Sequence, residues 1–368
     1  MVAILAVNYG SSSLKTALFS LPSSEGGAPQ KLARAVIARL ADGHLVVEWD
    51  GRRDERQVQG DPLAAVAEAL ADAGLPAPQA IGHRFVHGGD YAGPKLLTPD
   101  VVATLEALIP WAPQHEPAAL GGVAEVAKRW PDAPQVGCFD SAFHRTMPEV
   151  AQRLPLPSSL WDEGIRRYGF HGLNYDHVVH TVGAAELGRA VVAHLGNGSS
   201  MAAIDNGRSV DTTMGFTPDA GLFMGSRSGD IDPGVMLYLA GRDRDPVPVD
   251  ELRRILQEQS GLRGLSGGES DMAALLGRTD APARLAVAAF IRQVAKQAAA
   301  FATVLGGLDS LVFTGGIGEH SAAIRDGVVC RLGMLSIGQV LVVAADEEAV
   351  IARQTADVTG LVTGAATP

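Results

Sequence analysis

A single arginine in a run of small residues is the first candidate for chemistry. Arg227 lies within Gly225-Ser-Arg-Ser-Gly229, in a glycine-rich stretch from Met214 to Pro233. Small neighbours allow a ligand to approach the backbone closely, and the planar guanidinium group donates two parallel hydrogen bonds to a carboxylate or a phosphate. The pattern therefore indicates a site for an anionic substrate. A solvated arginine in a Gly/Ser-rich surface loop is the alternative that this segment by itself leaves open.

A second arginine and a histidine stand beside glycines elsewhere in the chain. Arg84 lies in Gly82-His-Arg-Phe-Val-His-Gly-Gly89, near the end of a segment that begins as a strand at Ala80-Ile81. A charge at a strand end beside glycines suggests a site, although an arginine paired with a structural acid has the same pattern. His171 lies between an aromatic residue and a glycine, where its ring can donate to a developing negative charge. A structural role is the alternative for a lone histidine.

Carboxylates follow two apolar runs. Asp140 comes directly after Val136–Phe139, and the pair Glu347-Glu348 lies just after Leu341–Ala345. Carboxylates at strand ends commonly orient an arginine or hold Mg²⁺ through water. The two glutamates are equally compatible with the first turn of a helix, where the macrodipole favours acidic residues.

Several glycine-rich segments are candidates for binding phosphate. Turns of this composition present backbone N–H groups to an anion, although each one by itself is also typical of an ordinary tight turn. No Gly-x-x-x-x-Gly-Lys-Ser/Thr run occurs, so a nucleotide has to be held without a Walker-type loop. The segments are Asn8–Lys15, His194–Ser200, Gly264–Met272 and Thr314–His320. After the last of these, a helix is expected from about Ser321.

Charge and composition exclude several classes of function. The net charge of −11 disfavours nucleic acid as a partner, and an anion must therefore be captured by a local cationic pocket. No apolar run reaches the roughly 18 residues that a membrane span requires, and the first residues lack the basic stretch of a signal peptide. Cys138 and Cys330 have no metal-like spacing. We therefore expect a soluble, cytoplasmic protein with reduced thiols and with neither a nucleic-acid nor a membrane partner.

The pattern of apolar runs predicts an α/β protein whose two halves are alike. Val2–Val7, a Gly/Ser-rich turn and Leu14–Leu21 are typical of strand, turn and strand, and Ala190–His194 with Ser199–Ile204 repeats this order. The Ala-rich stretch Ala281–Leu305 is typical of a long helix. A chain of 368 residues exceeds what one core usually serves, so two domains with a cleft are expected.

Taken together, these segments resemble the acetate kinase family, within the acetate and sugar kinase/Hsp70/actin superfamily. The resemblance implies a duplicated ribonuclease H-like (actin-like ATPase) fold, with two domains of mixed sheets flanked by helices and an active-site cleft between them. The N-terminal domain is expected at 1–145 with a C-terminal segment at about 350–368, and the C-terminal domain, with most nucleotide contacts, at 146–349. The matching motifs are Asn8-x-Gly-Ser-Ser-Ser-x-Lys15, Gly82-His-Arg-x-Val-His-Gly-Gly89, Phe139-Asp-Ser-Ala-Phe-His144, Arg166-Arg-Tyr-Gly-Phe-His-Gly172, His194-Leu-Gly-Asn-Gly198, Met214 to Pro233 and Phe313-Thr-Gly-Gly-Ile-Gly-Glu319.

The activity that this resemblance implies is reversible, Mg²⁺-dependent transfer of a phosphoryl group between ATP and acetate, giving acetyl phosphate and ADP by direct in-line transfer. Mn²⁺ is a possible replacement for the metal. By the same matching, Arg84 and Arg227 hold the carboxylate and the phosphoryl group, while His171 and Asn197 neutralise charge in the transition state. Asp140 orients the substrate end and fixes an arginine.

The resemblance also implies which residues contact the metal, the nucleotide and the acyl group. Asn8 and Glu347 support the Mg²⁺–phosphate complex. The acyl pocket comprises Arg84, Val86, Gln114, Phe170 and Pro218, and Val86 favours acetate over longer acids. The phosphate turns and the adenosine pocket comprise Ser11, Ser13, Lys15, His194, Leu195, Gly196, Asn197, Gly198, Asp271, Met272, Ala273, Gly316, Ile317, Gly318, Glu319 and His320.

Some positions depart from the family pattern. Gln114 stands in place of Leu and Glu116 in place of Asn, so the rim of the acyl pocket is more polar and more acidic. Ala273 stands in place of arginine and His320 in place of Asn, so nucleotide affinity or base preference is expected to differ. Propionate or another short carboxylate is the alternative acceptor, and an inactive nucleotide-binding regulator is the alternative class of protein. The resemblance also implies a homodimer.

Overall fold

The structure, a computed structural model, describes residues 2–10, 13–21, 29–242 and 245–361. Its strands are β1 (Ala3–Tyr9), β2 (Leu14–Ser20), β3 (Gln30–Ile37), β4 (His44–Trp49), β5 (Arg52–Gln57), β6 (Ala80–Phe85), β7 (Lys95–Leu96), β8 (Gln135–Phe139), β9 (Arg189–Leu195), β10 (Ser199–Asp205), β11 (Arg208–Thr212), β12 (Leu308–Thr314) and β13 (Ile337–Val342). They form two sheets, with the orders β5-β4-β3-β2-β1-β6-β8-β7 and β11-β10-β9-β12-β13.

The helices are α1 (Pro62–Asp72), α2 (Pro99–Ala107), α3 (Glu116–Arg129), α4 (Glu149–Gln152), α5 (Ser158–Asp162), α6 (Gly172–Val182), α7 (Ala184–Leu187), α8 (Pro233–Ala240), α9 (Val249–Arg254), α10 (Gly261–Ser266), α11 (Met272–Leu276), α12 (Ala281–Leu305), α13 (Gly315–His320), α14 (Ala322–Arg331) and α15 (Glu347–Thr359). A π-helical turn spans Ile255–Gln259, and 3₁₀ turns span Leu40–Asp42, Ile109–Trp111 and Ala142–Thr146. Among the helices of the described ranges, none combines the length and apolar character needed to cross a membrane.

The two sheets repeat one topology. In the first, β1, β2 and β3 form an antiparallel meander, and β6 and then β8 join β1 in parallel. In the second, β9, β10 and β11 form the meander, and β12 and then β13 continue in parallel. The strand–turn–strand pattern at the start of each half therefore does mark a duplicated α/β plan, as the sequence predicts.

Helices cover both faces of the first sheet. Along β1, Leu5 and its alternate neighbours join the core formed with α1 and α3, whereas Ile4 and Ala6 face the opposite core with Ile351 of α15. A strand buried on both faces is apolar throughout, which explains the continuous apolar run at the start of the chain. Gly82 of β6 permits the close approach of α15, because a Cβ there would lie 2.4 Å from Cγ2 of Ile351.

The core of the second sheet is formed mainly by α12. Phe290, Val294 and Ala298 recur at helical spacing along this helix and share a buried cluster with Val191 of β9 and Met201 of β10. Asp280 caps the helix by accepting from the Ala283 amide at 3.2 Å, and Gly306 ends it in the left-handed conformation. The sequence-predicted bounds of this helix coincide with the observed ones.

The segment after β12 differs from the expectation. The sequence predicts a glycine turn followed by a helix from about Ser321, whereas Gly315 already begins α13 and Ala322 begins α14. Gly315 has φ +75°, and a Cβ there would lie 2.8 Å from the carbonyl oxygen of Leu195. Glycine at position 315 therefore allows α13 to pack closely against the end of β9, and it does not form an open turn.

The described residues divide into two units. One holds residues within 1–145, 172–177 and 346–368, and the other holds 146–171 and 178–345. The first sheet belongs to the first unit and the second sheet to the second. The expected domain boundary at about 350 falls within α15, which begins at Glu347 and packs on β1 and β6.

Candidate active site

Four polar side chains meet at one edge of the first sheet, and we call them the Arg84 cluster. Asn8 lies near the end of β1, Arg84 near the end of β6, and Asp140 directly after β8. These strands are parallel neighbours, so their carboxyl ends lie at the same edge. Glu347, the fourth member, is the first residue of α15.

Arg84 is the centre of this cluster. Its Nε and Nη2 atoms donate to Oδ2 of Asp140 at 3.1 and 2.6 Å. Its Nη1 atom donates to Oδ1 of Asn8 at 3.3 Å and lies 3.4 Å from Oε2 of Glu347. Nδ2 of Asn8 donates to the same Glu347 oxygen at 3.4 Å. A bond network of this kind orients the guanidinium group before any ligand arrives.

Burial makes the charges of this cluster interdependent. The Asp140 side chain is 1% exposed, and burial raises its pKa to about 6, with Arg84 opposing and Glu347 adding to the rise. For Arg84, burial lowers the pKa, but the carboxylates of Asp140 and Glu347 outweigh it and hold the pKa above its usual range. Two carboxylates against one guanidinium group leave a net negative charge, which favours a bound cation.

His171 occupies an unusual backbone conformation in the second unit. Its φ is +58°, in the left-handed region that non-glycine residues rarely adopt, and strain of this kind is concentrated at functional sites. Its Nδ1 atom lies 2.8 Å from Oγ of Ser200. Its ring stacks on His194 with the ring centres 4.2 Å apart. The ring is therefore fixed on two sides.

Arg227 is held by the segment that precedes it. Its Nη1 atom donates to the carbonyl oxygen of Pro218 at 2.9 Å, and its Nε lies 3.9 Å from Oδ1 of Asp219. The side chain is 25% exposed, and burial lowers its pKa while Asp219 raises it. The Gly225 amide donates to the carbonyl oxygen of Asn197 at 3.3 Å, which links this loop to the turn after β9.

The space above Gly198 joins His171 and Arg227. A Cβ added at Gly198 would lie 3.3 Å from Nε2 of His171 and 3.6 Å from Nη2 of Arg227. Because residue 198 is glycine, no side chain separates its backbone from these two nitrogen atoms. The structure thus brings together Arg227, His171 and the Asn197-Gly198 turn within one unit.

The comparisons with known proteins identify the family of the chain. Residues 3–365 match the model of the acetokinase family. The chain belongs to this family. An acetate kinase of Deinococcus radiodurans is 40% identical over 401 residues, with 97% of this chain and 98% of the relative covered.

Solved structures of family members confirm the predicted fold class. A propionate kinase from Francisella tularensis has a TM-score of 0.89 at 33% identity and covers 97% of this chain and 100% of its own. Porphyromonas gingivalis acetate kinase has a TM-score of 0.84 at 32% identity and covers 98% and 100%. The acetokinase family fold is thus the duplicated α/β fold that the two sheets display.

Two of the expected phosphate-binding segments are neighbours in this acetokinase. His194 and Leu195 end β9, and Gly196 begins a turn in which its amide and carbonyl both bond Oγ of Ser199, at 3.2 and 2.9 Å. A Cβ at Gly196 would lie 3.9 Å from the amide nitrogen of Gly316 in α13. Ile317 and Gly318 follow in the same helix. The carboxyl ends of parallel β9 and β12 therefore bring the Gly196 turn and the start of α13 together.

The first expected phosphate turn is described only in part, because Ser11 lies outside the described residues. The carbonyl oxygen of Ser13 accepts from the Gly10 amide at 2.8 Å. Lys15 is exposed on β2 and stands opposite Asn8 of β1. The lysine and the Arg84 cluster thus share one end of the first sheet.

The expected adenosine pocket contains residues in different environments. Asp271 caps α11 by accepting from the Ala274 amide at 2.8 Å. Met272 is 3% exposed and belongs to the core, whereas Ala273 is exposed. Glu319 accepts from the Ala345 amide at 2.9 Å. His320 is exposed at the end of α13.

The four apolar or amide positions expected in the acyl pocket lie in both units. Val86 is half-buried directly after β6, and Gln114 is exposed before α3. Phe170 is 1% exposed and precedes His171. Pro218 also holds Arg227, because its carbonyl oxygen accepts a hydrogen bond from that side chain.

Glu116 is a buried acid beside the segment that carries Arg84 and Val86. It is 0% exposed, and its Oε1 accepts from the His87 amide at 2.8 Å. Burial raises its pKa to about 8, with the His87 amide opposing and Asp140 adding to the rise. The side chain is therefore mostly protonated at neutral pH.

A cavity of about 350 Å³ contains residues that the sequence analysis did not select. Asn197, Ser226, Arg227 and Ser270 of this lining belong to segments that were selected, whereas Glu258 and Arg263 lie outside them. The signal for Arg263 was present, because it stands between Leu262 and Gly264 in Ser260-Gly-Leu-Arg-Gly-Leu-Ser-Gly-Gly268, a run of small residues like the one around Arg227.

Proposed function

We propose that the chain catalyses reversible phosphoryl transfer between ATP and acetate, forming ADP and acetyl phosphate. The observation that carries this proposal is the approach of His171 Nε2 and Arg227 Nη2 to the space above Gly198. During transfer, negative charge spreads over three phosphoryl oxygens, and fixed donors that meet at one point stabilise that charge. Membership of the acetokinase family supports a carboxylate as the acceptor.

The transfer itself requires little from the protein beyond position and charge. A carboxylate oxygen supplies the electron pair for the new O–P bond, and the pair of the broken P–O bond leaves with ADP. Because short carboxylic acids are ionised at neutral pH, no general base is needed. The orientation of the donor side chains therefore matters most. The Pro218 carbonyl oxygen holds Arg227 in one rotamer, and the Ser200 hydroxyl group holds His171 in one.

His171 acts as a hydrogen-bond donor in this proposal. When the Ser200 hydroxyl donates to Nδ1, the ring proton of a neutral histidine resides on Nε2, which faces the space above Gly198. Arg227 keeps its charge and directs Nη2 to the same space, since Pro218 occupies Nη1. Asn197 contributes its backbone amide to the phosphoryl oxygens.

Arg84 binds the acceptor carboxylate in this proposal, and Asp140 positions Arg84. Both nitrogen atoms that face Asp140 share one carboxylate oxygen, so the guanidinium plane is fixed. Val86, Gln114, Phe170 and Pro218 form the proposed acyl pocket. Propionate or another short carboxylate is the second candidate acceptor, and the exposed amide of Gln114, which adds a polar group to the proposed pocket rim, suits a hydroxylated acid better than propionate.

The acetokinase reaction uses ATP and a divalent metal, which we propose is Mg²⁺, with Mn²⁺ as a replacement. Among the described residues, no group of three or more His, Cys, Asp or Glu side chains is suited to hold a metal. Mg²⁺ usually keeps several waters and takes only one or two protein carboxylates beside substrate phosphates. Asn8 and Glu347 offer an amide oxygen and a carboxylate within a cluster of net negative charge, which fits that donor set. When bound there, the metal would neutralise negative charge on the phosphate groups.

We assign the nucleotide to the turn after β9 and to α13, which follows β12. The proposed contacts are Ser11, Ser13, Lys15, His194, Leu195, Gly196, Asn197, Gly198, Asp271, Met272, Ala273, Gly316, Ile317, Gly318, Glu319 and His320. We also retain the division into an N-terminal domain at 1–145 with about 350–368 and a C-terminal domain at 146–349. The free thiols Cys138 and Cys330 support a cytoplasmic location.

A homodimer is the quaternary state that we propose. Helix α8 has no buried residue, and its Leu237 and Tyr238 side chains are 74% and 68% exposed. An apolar helix of this kind favours an interface, and a second copy of the chain is the partner that we propose. Sedimentation analysis tests this, and a purely monomeric protein at micromolar concentration contradicts it. Leu237→Glu is expected to shift the protein towards the monomer.

The experiment that tests the function is a kcat/KM panel with ATP and Mg²⁺. Acetate, propionate, butyrate and glycolate serve as acceptors, and hydroxylamine traps the acyl phosphate as a hydroxamate. We expect acetate to give the highest kcat/KM and propionate a lower one, since one methylene group is worth about 1–3 kcal/mol in a small pocket. ATP consumption that none of the four acids stimulates contradicts the proposal.

A further inference from the structure

The cavity beside Arg227 holds a second guanidinium group. Arg227 and Arg263 both line it, together with the exposed carboxylate of Glu258 and the polar side chains of Asn197 and Ser270. Two positive charges against one negative charge give the lining a net positive charge. A cationic cavity of about 350 Å³ in a chain of net charge −11 is a local site for an anion.

The backbone around Arg263 is fixed directly to the loop that carries Arg227. The Arg263 amide donates to the carbonyl oxygen of Gly225 at 2.9 Å, and the Leu262 amide donates to that of Met224 at 2.8 Å. Gly261, with φ +63°, makes this approach possible, because a Cβ there would lie within 2.7 Å of the carbonyl oxygens of both Met224 and Arg227. Backbone hydrogen bonds therefore hold Arg263 at the cavity.

The π-helical turn at Ile255–Gln259 holds the loop from the other side. The Ser226 hydroxyl donates to the Gln257 carbonyl oxygen at 2.8 Å, and the Ser228 amide donates to that of Leu256 at 2.8 Å. The Ser260 amide donates to the Ser226 carbonyl oxygen at 2.9 Å. π-Helical turns occur frequently at functional sites, where they supply backbone geometry that an α-helix does not. This turn and the start of α10 together frame the cavity.

We propose that Arg263 binds the polyphosphate chain of the nucleotide as a second cation beside Arg227. This rests on the proposed function, in which Arg227 and Asn197 serve the transferred phosphoryl group. In that proposed function the phosphoryl group lies beside Gly198, and the rest of a nucleotide polyphosphate requires further cationic groups next to it. Arg263 lines the cavity that adjoins Arg227, and its exposed guanidinium group is suited to paired hydrogen bonds with phosphate oxygens.

The bound group is the polyphosphate of the nucleotide rather than the acyl phosphate. Arg263 is thus a binding residue, and its removal affects affinity for ATP and ADP without affecting the transfer step. We expect Arg263→Gln to raise the KM for ATP and for ADP about tenfold, the usual effect of one charge-assisted hydrogen bond, and to change kcat less than about twofold. The KM for acetate and for acetyl phosphate is expected to stay within about twofold.

Matched variants make this test specific. Arg254→Gln removes the same charge from α9, where Arg254 forms an exposed ion pair with Glu251 and does not line the cavity, and it is expected to leave every KM unchanged. Arg263→Lys, which retains the charge, is expected to recover most of the affinity for ATP. Calorimetric titration of each protein with ATP measures binding without turnover.

The possible outcomes separate this proposal from the proposed function. Unchanged KM and Kd values for ATP in Arg263→Gln overturn the assignment of Arg263, and so does an equal rise in the KM for acetyl phosphate. If the protein phosphorylates no short carboxylate, the proposed function fails, but an about tenfold rise in the calorimetric Kd for ATP still supports the role of Arg263. A Tm near that of the unaltered protein shows that the variant is folded.

Discussion

Nε2 of His171 and Nη2 of Arg227 both lie close to Gly198, 3.3 and 3.6 Å from the point where a Cβ of this residue would be. Each side chain is held through another of its nitrogen atoms. Nδ1 of His171 contacts the Ser200 hydroxyl group, and Nη1 of Arg227 donates to the Pro218 carbonyl oxygen. A substitution at residue 198 therefore tests the proposed site while both donor side chains keep their chemical identity.

Gly198→Ala is expected to lower kcat by about 10², because the added methyl group occupies the position proposed for the phosphoryl group and displaces its donors. Gly198 has no positive φ, so the backbone tolerates alanine and the free energy of unfolding should change by less than about 1 kcal/mol. Steady-state kinetics and urea unfolding provide the two measurements. Gly121→Ala in α3 is the control, since a Cβ there meets nothing within 4 Å. Equal kcat values for both variants contradict the proposed position.

Arg227→Ala is expected to reduce kcat by about 10² or more, because the arginine stabilises charge that develops during transfer. Arg227→Lys keeps the charge but loses the forked geometry that lets Pro218 hold one nitrogen atom while another faces Gly198, so it should recover only part of the rate. Single-turnover kinetics with saturating ATP isolate the chemical step. An unchanged kcat for Arg227→Ala removes this residue from the mechanism.

Glu347→Gln is expected to raise the Mg²⁺ concentration required for half-maximal activity about tenfold, since it removes one of the few protein oxygens that carry charge near the metal. The isosteric amide preserves the contact with Asn8, so folding should be unaffected. Titration of activity with Mg²⁺ at constant ATP gives the value. Glu348→Gln makes the same change one residue further along α15 and should shift the titration less than about twofold. If both variants shift the Mg²⁺ titration equally, the shift comes from the loss of negative charge in this region and not from a specific contact of Glu347 with the metal.

Glu116→Gln is expected to change how stability depends on pH. The pKa of Glu116 is raised from 4.5 to about 8 in the folded protein, so the folded state binds the proton more tightly than the unfolded state. Its contribution to stability is therefore fully present below pH 4.5 and is lost as the pH rises through about 8. Glutamine retains the acceptor for the His87 amide and does not ionise.

The free energy of unfolding of Glu116→Gln relative to the unaltered protein should therefore increase between pH 5 and pH 9 by on the order of 3 kcal/mol. Urea unfolding at both pH values measures this difference. Glu125→Gln lies on the same helix, at an exposed ion pair with Lys128, and should follow the pH dependence of the unaltered protein. Parallel curves for Glu116→Gln and the unaltered protein contradict a raised pKa at this residue.

Local patterns allowed much of the fold to be predicted. Strand, turn and helix signals depend on neighbouring residues, so β2, β10 and α12 were predicted with their bounds nearly or fully correct. The conformation of Gly315–His320 was not, since its helix depends on a contact with Leu195, which is 120 residues earlier in the chain by subtraction. The position of Arg263 beside the Arg227 loop was missed for a similar reason. It depends on the hydrogen bond that the Arg263 amide donates to the distant Gly225 carbonyl oxygen.

The sequence by itself determined the duplicated α/β plan, the family and the types of residue that carry charge, because apolar periodicity and short motifs are properties of the chain. Only the tertiary structure decided which of these residues meet. Asn8 and Glu347 are 339 positions apart, yet they contact each other because parallel strands present their ends at one edge and α15 returns to that edge. It also decided that Met272 is a core residue beside the helix cap Asp271, and that Gly198 leaves room for His171 and Arg227. Contacts of this kind depend on packing between distant elements, which no local pattern encodes.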